Sequence, residues 1–370
     1  MSAEEAPPTL EWSGQAVDVL AIDAALQRLR QEAADGAPAE GTAHGTRTSV
    51  LTLITYAFDG ATAQRATQTI ANLPEYHPSR SIVILAEPSD DEPVIDARLS
   101  AHCHIAPGLE GQVCFEEIAL TVKGRAASHL HSIVLPLLVP DLPVFGWWTG
   151  DLPDDSHLLD DALDTADRLI VDSTRFGEAE RSLARLARLM QSRGAALSDL
   201  GWARLNPWRQ LIAQFFDEPR LRPYLDSLTA LDIEHAAGSS AQALLLAGWL
   251  ADRLGWRPSG KQNHTYRARS AGGDVVVSVH AELAPDREPG SLLSVLLKAS
   301  KDGKTATFGV QRREPQLATA TAKAPETSLE RTVRLPAGGD PEMLAAELQT
   351  AGRDQAYSQA LAMAASLPLV

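Results

Sequence analysis

The chain has 370 residues, of which 44% are hydrophobic and 22% charged, with two cysteines and a formal net charge of −15. That length exceeds what one hydrophobic core organises, so two domains are expected, and two cysteines exclude a disulfide framework. The acidic balance repels polyphosphate backbones, which speaks against nucleic acid, and the longest apolar candidate, 132–148, is broken by Pro136, Pro140, Asp141 and Pro143, which speaks against a membrane span. The first twenty residues carry Glu4, Glu5 and Glu11 and no basic segment, so no secretory signal is expected and the localisation read from the sequence is cytoplasmic.

Along the chain, 17–32 places Val17, Leu20, Ile22, Leu26 and Leu29 at mostly helical spacing, and the Ala-, Gly- and Pro-rich stretch 33–46 follows as a linker. From Arg47 the pattern becomes β-α-β: a β-branched and aromatic run at 49–58, a helix at 61–71 and an apolar run at 81–86. Two longer strands, 97–105 and 112–122, flank the turn residues Ala-Pro-Gly-Leu-Glu-Gly and predict a hairpin. A buried helix at 126–138, a buried strand at 144–148, a helix at 157–166 and a short strand at 168–172 complete an α/β domain with a mixed sheet.

The segment 178–193 is the clearest helix, with Leu183, Leu186, Ala187 and Met190 on one face and Arg181, Arg185 and Arg188 on the other, a solvated stripe in the simplest reading. Beyond it, 199–216 reads as helical, 241–254 as a strongly apolar helix, and 266–269, 274–280, 292–298, 305–312 and 327–335 as alternating strands, before a closing helix at 341–364. The expected organisation is an N-terminal helix and linker (1–46), an α/β domain (47–176), a bridging helix (177–198) and an α+β domain with an antiparallel sheet (199–370).

Signals for chemistry are sparse. There is no Gly-x-Gly-x-x-Gly turn, no phosphate loop, no His-Glu-x-x-His and no Gly-x-Ser-x-Gly, so neither a catalytic residue nor a cofactor is expected. His102, Cys103, His104 and Cys114 suggest zinc, but alternation along a strand sends Cys103 and the two histidines to opposite faces, so no metal site is read there. A two-residue loop at Gly108-Leu109 puts Cys103 opposite Cys114, which makes a reversible thiol pair sterically conceivable beside the plainer reading of two small buried thiols. Trp147 and Trp148 end a buried strand and must face opposite sides of the sheet, so either both pack under helices or one serves a partner.

Four ordered motifs together resemble one family. They are His77-Pro-Ser-Arg80; Leu135-Pro-Leu-Leu-Val-Pro-Asp-Leu-Pro-Val-Phe145 with Trp147-Trp148; Val171-Asp-Ser-Thr-Arg-Phe176; and Asp199-Leu-Gly-Trp-Ala-Arg-Leu-Asn-Pro-Trp-Arg-Gln-Leu-Ile-Ala-Gln-Phe-Phe-Asp217. The chain resembles the OpcA proteins that assemble glucose-6-phosphate dehydrogenase, most strongly over 47–217. The resemblance implies a non-catalytic protein that promotes oligomerisation and activation of that dehydrogenase, and in some members a thioredoxin link through cysteines. Its aromatic segments offer Trp147, Trp148, Trp202, Arg204, Trp208 and Arg209 as a partner surface, with Asn206-Pro207 expected to turn Trp208 and Arg209 outward. The competing reading is a sugar-phosphate sensor or an enzyme of unrecognised class, using His77, Ser79 and Arg80.

Overall fold

The computed structural model describes residues 10–35, 50–73, 79–88, 92–105, 112–153, 157–193, 196–262, 265–270, 272–335, 339–350 and 352–367. They form two units, Met1–Val171 with Asp340–Thr350, and Asp172–Gly339 with Ala351–Val370. The first holds β1 (Leu10–Gly14), α1 (Val19–Asp35), β2 (Leu51–Ala57), α2 (Gly60–Ala71), β3 (Ser79–Glu87), β4 (Ile95–Ile105), β5 (Gln112–Lys123), α3 (Leu130–Val134), β6 (Val144–Trp148), α4 (His157–Thr165) and β7 (Arg168–Val171). The second continues with α5 (Ala179–Arg193), β8 (Leu197–Asp199), α6 (Leu200–Arg204), α7 (Asn206–Phe215), β9 (Leu228–Ala236), α8 (Ala241–Arg253), β10 (Arg257–Gln262), β11 (Thr265–Ser270), β12 (Gly273–Glu282), β13 (Leu292–Lys301), β14 (Lys304–Glu314), β15 (Leu317–Ala324) and β16 (Thr327–Arg334). Then α9 (Asp340–Gln349) belongs to the first unit and α10 (Gln355–Ser366) to the second. Among the described residues, no helix is long and apolar enough to cross a membrane.

Within the first unit the strands run β1-β4-β5-β3-β2-β6-β7. β2 is buried along its whole length and lies parallel to both β3 and β6, which is why Leu51 to Ala57 reads as a continuous apolar run rather than an alternating one. The expected mixed sheet arises because β5, parallel to β3, pairs antiparallel with β4, and β4 with β1. The hairpin register sets Cys103 opposite Cys114. β1 was not foreseen: five residues carry little periodicity, and pairing with β4 makes them a strand. The helix expected at 126–138 is instead a 3-10 turn (Gly124–His129), the short α3 and a second 3-10 turn (Leu135–Leu137), where Pro136 has no N–H to continue the ladder.

The second unit carries the expected helices and sheet, ordered β10-β11-β12-β9-β13-β14-β15-β16. All its described pairings are antiparallel except β12 with β9. β9, unforeseen in the sequence, lies between β12 and β13 and buries Leu228, Leu231 and Ile233. The closing helix at 341–364 is two helices. Gly352, at φ +77, turns the chain in a conformation that suits glycine, and Asp354 restarts it by accepting the Tyr357 amide at 2.9 Å.

α8 packs against α10 through Gly248, where an added methyl would collide with the Ala360 carbonyl oxygen and lie 2.8 Å from the Ala364 nitrogen. Both obstacles are backbone. We predict that Gly248→Ala destabilises the protein by about 1–3 kcal/mol in chemical denaturation, because overpacking exceeds the helix-propensity gain of roughly 1 kcal/mol. An unchanged or raised stability would show that the two helices can move apart freely.

Candidate functional site

The motifs 171–176 and 199–217 come together in the second unit through two aspartates, each at the point where the chain passes from an extended segment into a helical turn. Asp172 precedes the 3-10 turn Ser173–Arg175 and accepts from the amide and hydroxyl of Thr174, at 3.2 and 2.6 Å. Asp199 precedes α6 and accepts from the Gly201 amide at 2.8 Å. These are helix-capping bonds, local in sequence. Each carboxylate also reaches into the other motif: Asp199 Oδ1 accepts from the Ser173 amide at 3.0 Å, and Asp172 Oδ1 pairs with Arg204 Nη1 at 3.0 Å. Gly201 is where the segments approach most closely, since a methyl there would collide with Ser173 Oγ.

The two carboxyls therefore have different environments. Asp172 is held by Arg204 and, at 3.4 Å, by Arg175. Asp199 is pushed up to about 6, because burial outweighs the amide bonds from Ser173 and Gly201, and the neighbouring Asp172 charge adds to the shift.

An aromatic cluster continues from α6. Trp202 donates its indole N–H to Asp354 at 2.8 Å, so Asp354 both caps α10 and orients the ring. Tyr357 lies 5.8 Å from that ring, and the Arg209 guanidinium sits 3.6 Å above its centroid, a cation–π contact. The chain does break before Asn206-Pro207, as expected, with α6 ending at Arg204 and Pro207 in the first turn of α7. Trp208 nevertheless turns inward, beneath Arg312, because it falls on the same buried stripe of α7 as Leu211, Ile212 and Phe215.

The other residues named from sequence are placed as follows. Trp147 and Trp148 are 5% and 1% exposed; β6 lies between the parallel strands β2 and β7, and Trp148 packs against Tyr56 and Phe58 while donating to the Asp151 carbonyl. Both tryptophans are thus core residues. Arg80 is buried in an ion-paired group: it bonds Glu116 at 2.8 Å and the Leu137 carbonyl at 2.6 Å, while Arg30 holds Glu116 from the other side at 2.6 Å. Ser79 begins β3, and His77 lies outside the described residues. Sequence reading passed over Asp172, Asp199 and Asp354, although Asp ahead of a helical turn is a recognisable cap signal.

A model of the N-terminal domain of the glucose-6-phosphate dehydrogenase subunit matches 70–188, and the corresponding C-terminal domain model matches 195–361. The chain belongs to the OpcA family. An OxPP cycle protein OpcA of Synechocystis is 29% identical over 310 residues, covering 76% of this chain and 62% of its own; one of Nostoc punctiforme is 34% identical over 190 residues, covering 51% and 40%. The match thus spans less than two thirds of either relative. Among solved structures, a 3-ketoreductase of Actinomadura kijaniata, KijD10, aligns over 86% of this chain and 95% of its own at 11% identity with a TM-score of 0.47, too low to speak for fold or activity. The boundary between the two OpcA models falls between the motifs that Asp172 and Asp199 tie together, although both aspartates lie in the second unit.

A carboxyl with a raised folded pKa binds its proton more tightly in the folded state. Its stabilising contribution is therefore complete below its ordinary 3.8 and is lost as pH rises to about 6. Asp199→Asn keeps an oxygen for both amides but cannot ionise. We predict that the stability of wild type relative to Asp199→Asn falls by up to about 3 kcal/mol between pH 4 and pH 6.5 in thermal melts. A difference independent of pH would show that Asp199 is not strained by its charge.

Proposed function

We propose that this protein is a non-catalytic accessory subunit of glucose-6-phosphate dehydrogenase that promotes its assembly and activity in the oxidative pentose phosphate pathway. The observation that carries this reading is the match to both domain models of the subunit, in order, over 70–188 and 195–361.

The electrostatics of the first unit support a role without a dinucleotide. In doubly wound sheets a ligand phosphate sits at a helix N-terminus beside the switch point, where successive connections lead to opposite sides of the sheet. Here β2 is that point, with β3 on one side and β6 on the other, and the helix start is α2. That position is filled by Asp59, which accepts from the amide of Thr62 at 2.8 Å and its hydroxyl at 2.7 Å; these bonds hold its carboxyl below the ordinary range. A phosphate brought there would meet like charge.

Because Trp202 and Trp208 are core residues, we place the partner contact on the solvent-facing side of α7, where Asn206, Gln210, Ala213 and Gln214 are exposed and Arg209 lies at the edge. Reversing the charge of Arg209 would be a poor test, since it would lose the contact with Trp202 and set a carboxylate near Asp354.

We predict that the purified protein alone does not reduce NADP with glucose 6-phosphate, and that adding it to the dehydrogenase raises both activity and native mass. Ala213→Arg should leave the melting temperature unchanged yet raise half-saturation for activation about tenfold, through a bulky charge at the contact. No effect of the wild-type protein on the dehydrogenase would refute the accessory role. Unchanged half-saturation of Ala213→Arg would refute only the placement on α7.

A further inference from the structure

The sheet of the second unit ends in β10 on one side and β16 on the other, and the two edges are built differently. β10 is blunted: it carries Pro258, which has no amide to offer, and its pairing with β11 slips in register between Pro258 and Gly260. Proline and a bulge are common means by which a sheet refuses a further strand. β16 has neither. Its sequence, Thr-Ser-Leu-Glu-Arg-Thr-Val-Arg, contains no proline or glycine, and it pairs with β15 in unbroken register from Ala324 opposite Thr327 to Leu317 opposite Arg334.

The backbone polarity of that edge follows from one bond. The Leu335 amide donates to the Gln316 carbonyl at 2.7 Å, in step with the β15–β16 register. Hydrogen-bonded and non-hydrogen-bonded pairs alternate along an antiparallel ladder, so Leu329, Arg331 and Val333 turn their amides and carbonyls toward β15. Those of Ser328, Glu330, Thr332 and Arg334 point outward, and among the described residues no group bonds them. The side chains alternate as well. Leu329, Arg331 and Val333 stand opposite the buried Ala322, Ala320 and Ala318, whereas Ser328, Glu330, Thr332 and Arg334 lie on the other face and are exposed.

The charges of this edge complement themselves. Neither Glu330 nor Arg334 has an ion-pair partner among the described residues, and Arg334 bonds the neutral Gln316 side chain at 3.3 Å. A two-fold axis normal to the sheet lays β16 antiparallel to β16 of a second copy and keeps the buried faces on one side. Centred on Glu330, Arg331 or Arg334, it opposes like charges. Centred on Thr332, it sets Glu330 opposite Arg334 of the second copy and, by symmetry, Arg334 opposite the second copy's Glu330. Those three positions are ones whose backbone groups point outward, so register and charge agree. On the buried face the same register brings Leu329, 43% exposed, beside Leu335 of the second copy.

We propose that β16 is a dimer edge, at which a second copy of this chain adds its own β16 in antiparallel register centred on Thr332 and extends the sheet. The inference does not depend on the accessory role. One strand pair buries little area, so the dimer is weak, with a dissociation constant on the order of 10 μM.

Analytical ultracentrifugation of the full chain at about 100 μM should give the mass of a dimer that dissociates on dilution. Glu330→Arg and Arg334→Glu each set like charges at both contacts and should raise the dissociation constant at least about tenfold. Mixed in equal amounts, the two variants regain opposite charges at both contacts and should associate as the wild type does. Thr332→Pro removes an amide that faces away from β15, so it should leave the fold intact and abolish the dimer; it serves if a charge variant fails to fold. A wild-type monomer at about 100 μM overturns the proposal. So does a dimer that the folded variants leave unchanged, or a pair of charge variants that stay monomeric when mixed. A wild-type monomer whose Thr332→Pro variant no longer activates the dehydrogenase would assign the edge to that enzyme instead.

Discussion

The architecture around the family motifs depends on holding two buried carboxyls away from water. Asp172 and Asp199 sit where extended chain becomes helical, and an isolated charge there would cost several kcal/mol unless bonded. The chain meets that constraint fully for Asp172 and through one oxygen for Asp199, whose Oδ2 is buried without a partner among the described residues. Each aspartate caps its own turn, and each also holds the other motif, Asp172 through Arg204 and Asp199 through the Ser173 amide. Gly201 and Trp202 follow from this, the first because nothing larger fits against Ser173, the second because α6 carries its ring toward Asp354 and Tyr357. A motif that reads as a string of partner-binding residues is thus first a device for closing a loop of chain on itself.

Arginine illustrates the same point at three positions. Arg80, Arg204 and Arg209 all belong to motifs that suggest an anion or a partner, yet Arg80 is bound to Glu116, Arg204 to Asp172 and Arg209 to the face of Trp202. Guanidinium is suited to this role because it stays charged, bonds carboxylates through several donors and stacks on aromatic rings. A sequence shows the guanidinium but not the group that engages it.

The helix starts of α2 and α8 are capped differently. One is closed by Asp59, whose carboxylate takes the position a phosphate would need; the other begins at Ser240, whose side chain makes no capping bond, with the Ala241 amide donating to the Ser239 hydroxyl at 3.4 Å. Reading a fold of this kind for function therefore turns on which helix termini the chain caps for itself.

Much of the scaffold was already determined by the sequence. The unbroken apolar run of β2 dictates a strand buried on both faces, the turn residues between 97–105 and 112–122 mark β4 and β5 as a hairpin, and the two-faced pattern of α5 makes it a helix. Those features rest on neighbours a few residues apart, so a single chain displays them. Only the tertiary structure decided that Leu10 to Gly14 is a strand, that β9 runs between β12 and β13 and parallel to the first, and that Trp147, Trp148 and Trp208 face inward. It alone decided, too, that His235, Ser240 and Tyr266 share a cavity. Each of those outcomes is set by a partner distant in sequence, and the burial or pairing energy that selects it exists only once the chain has brought the two together.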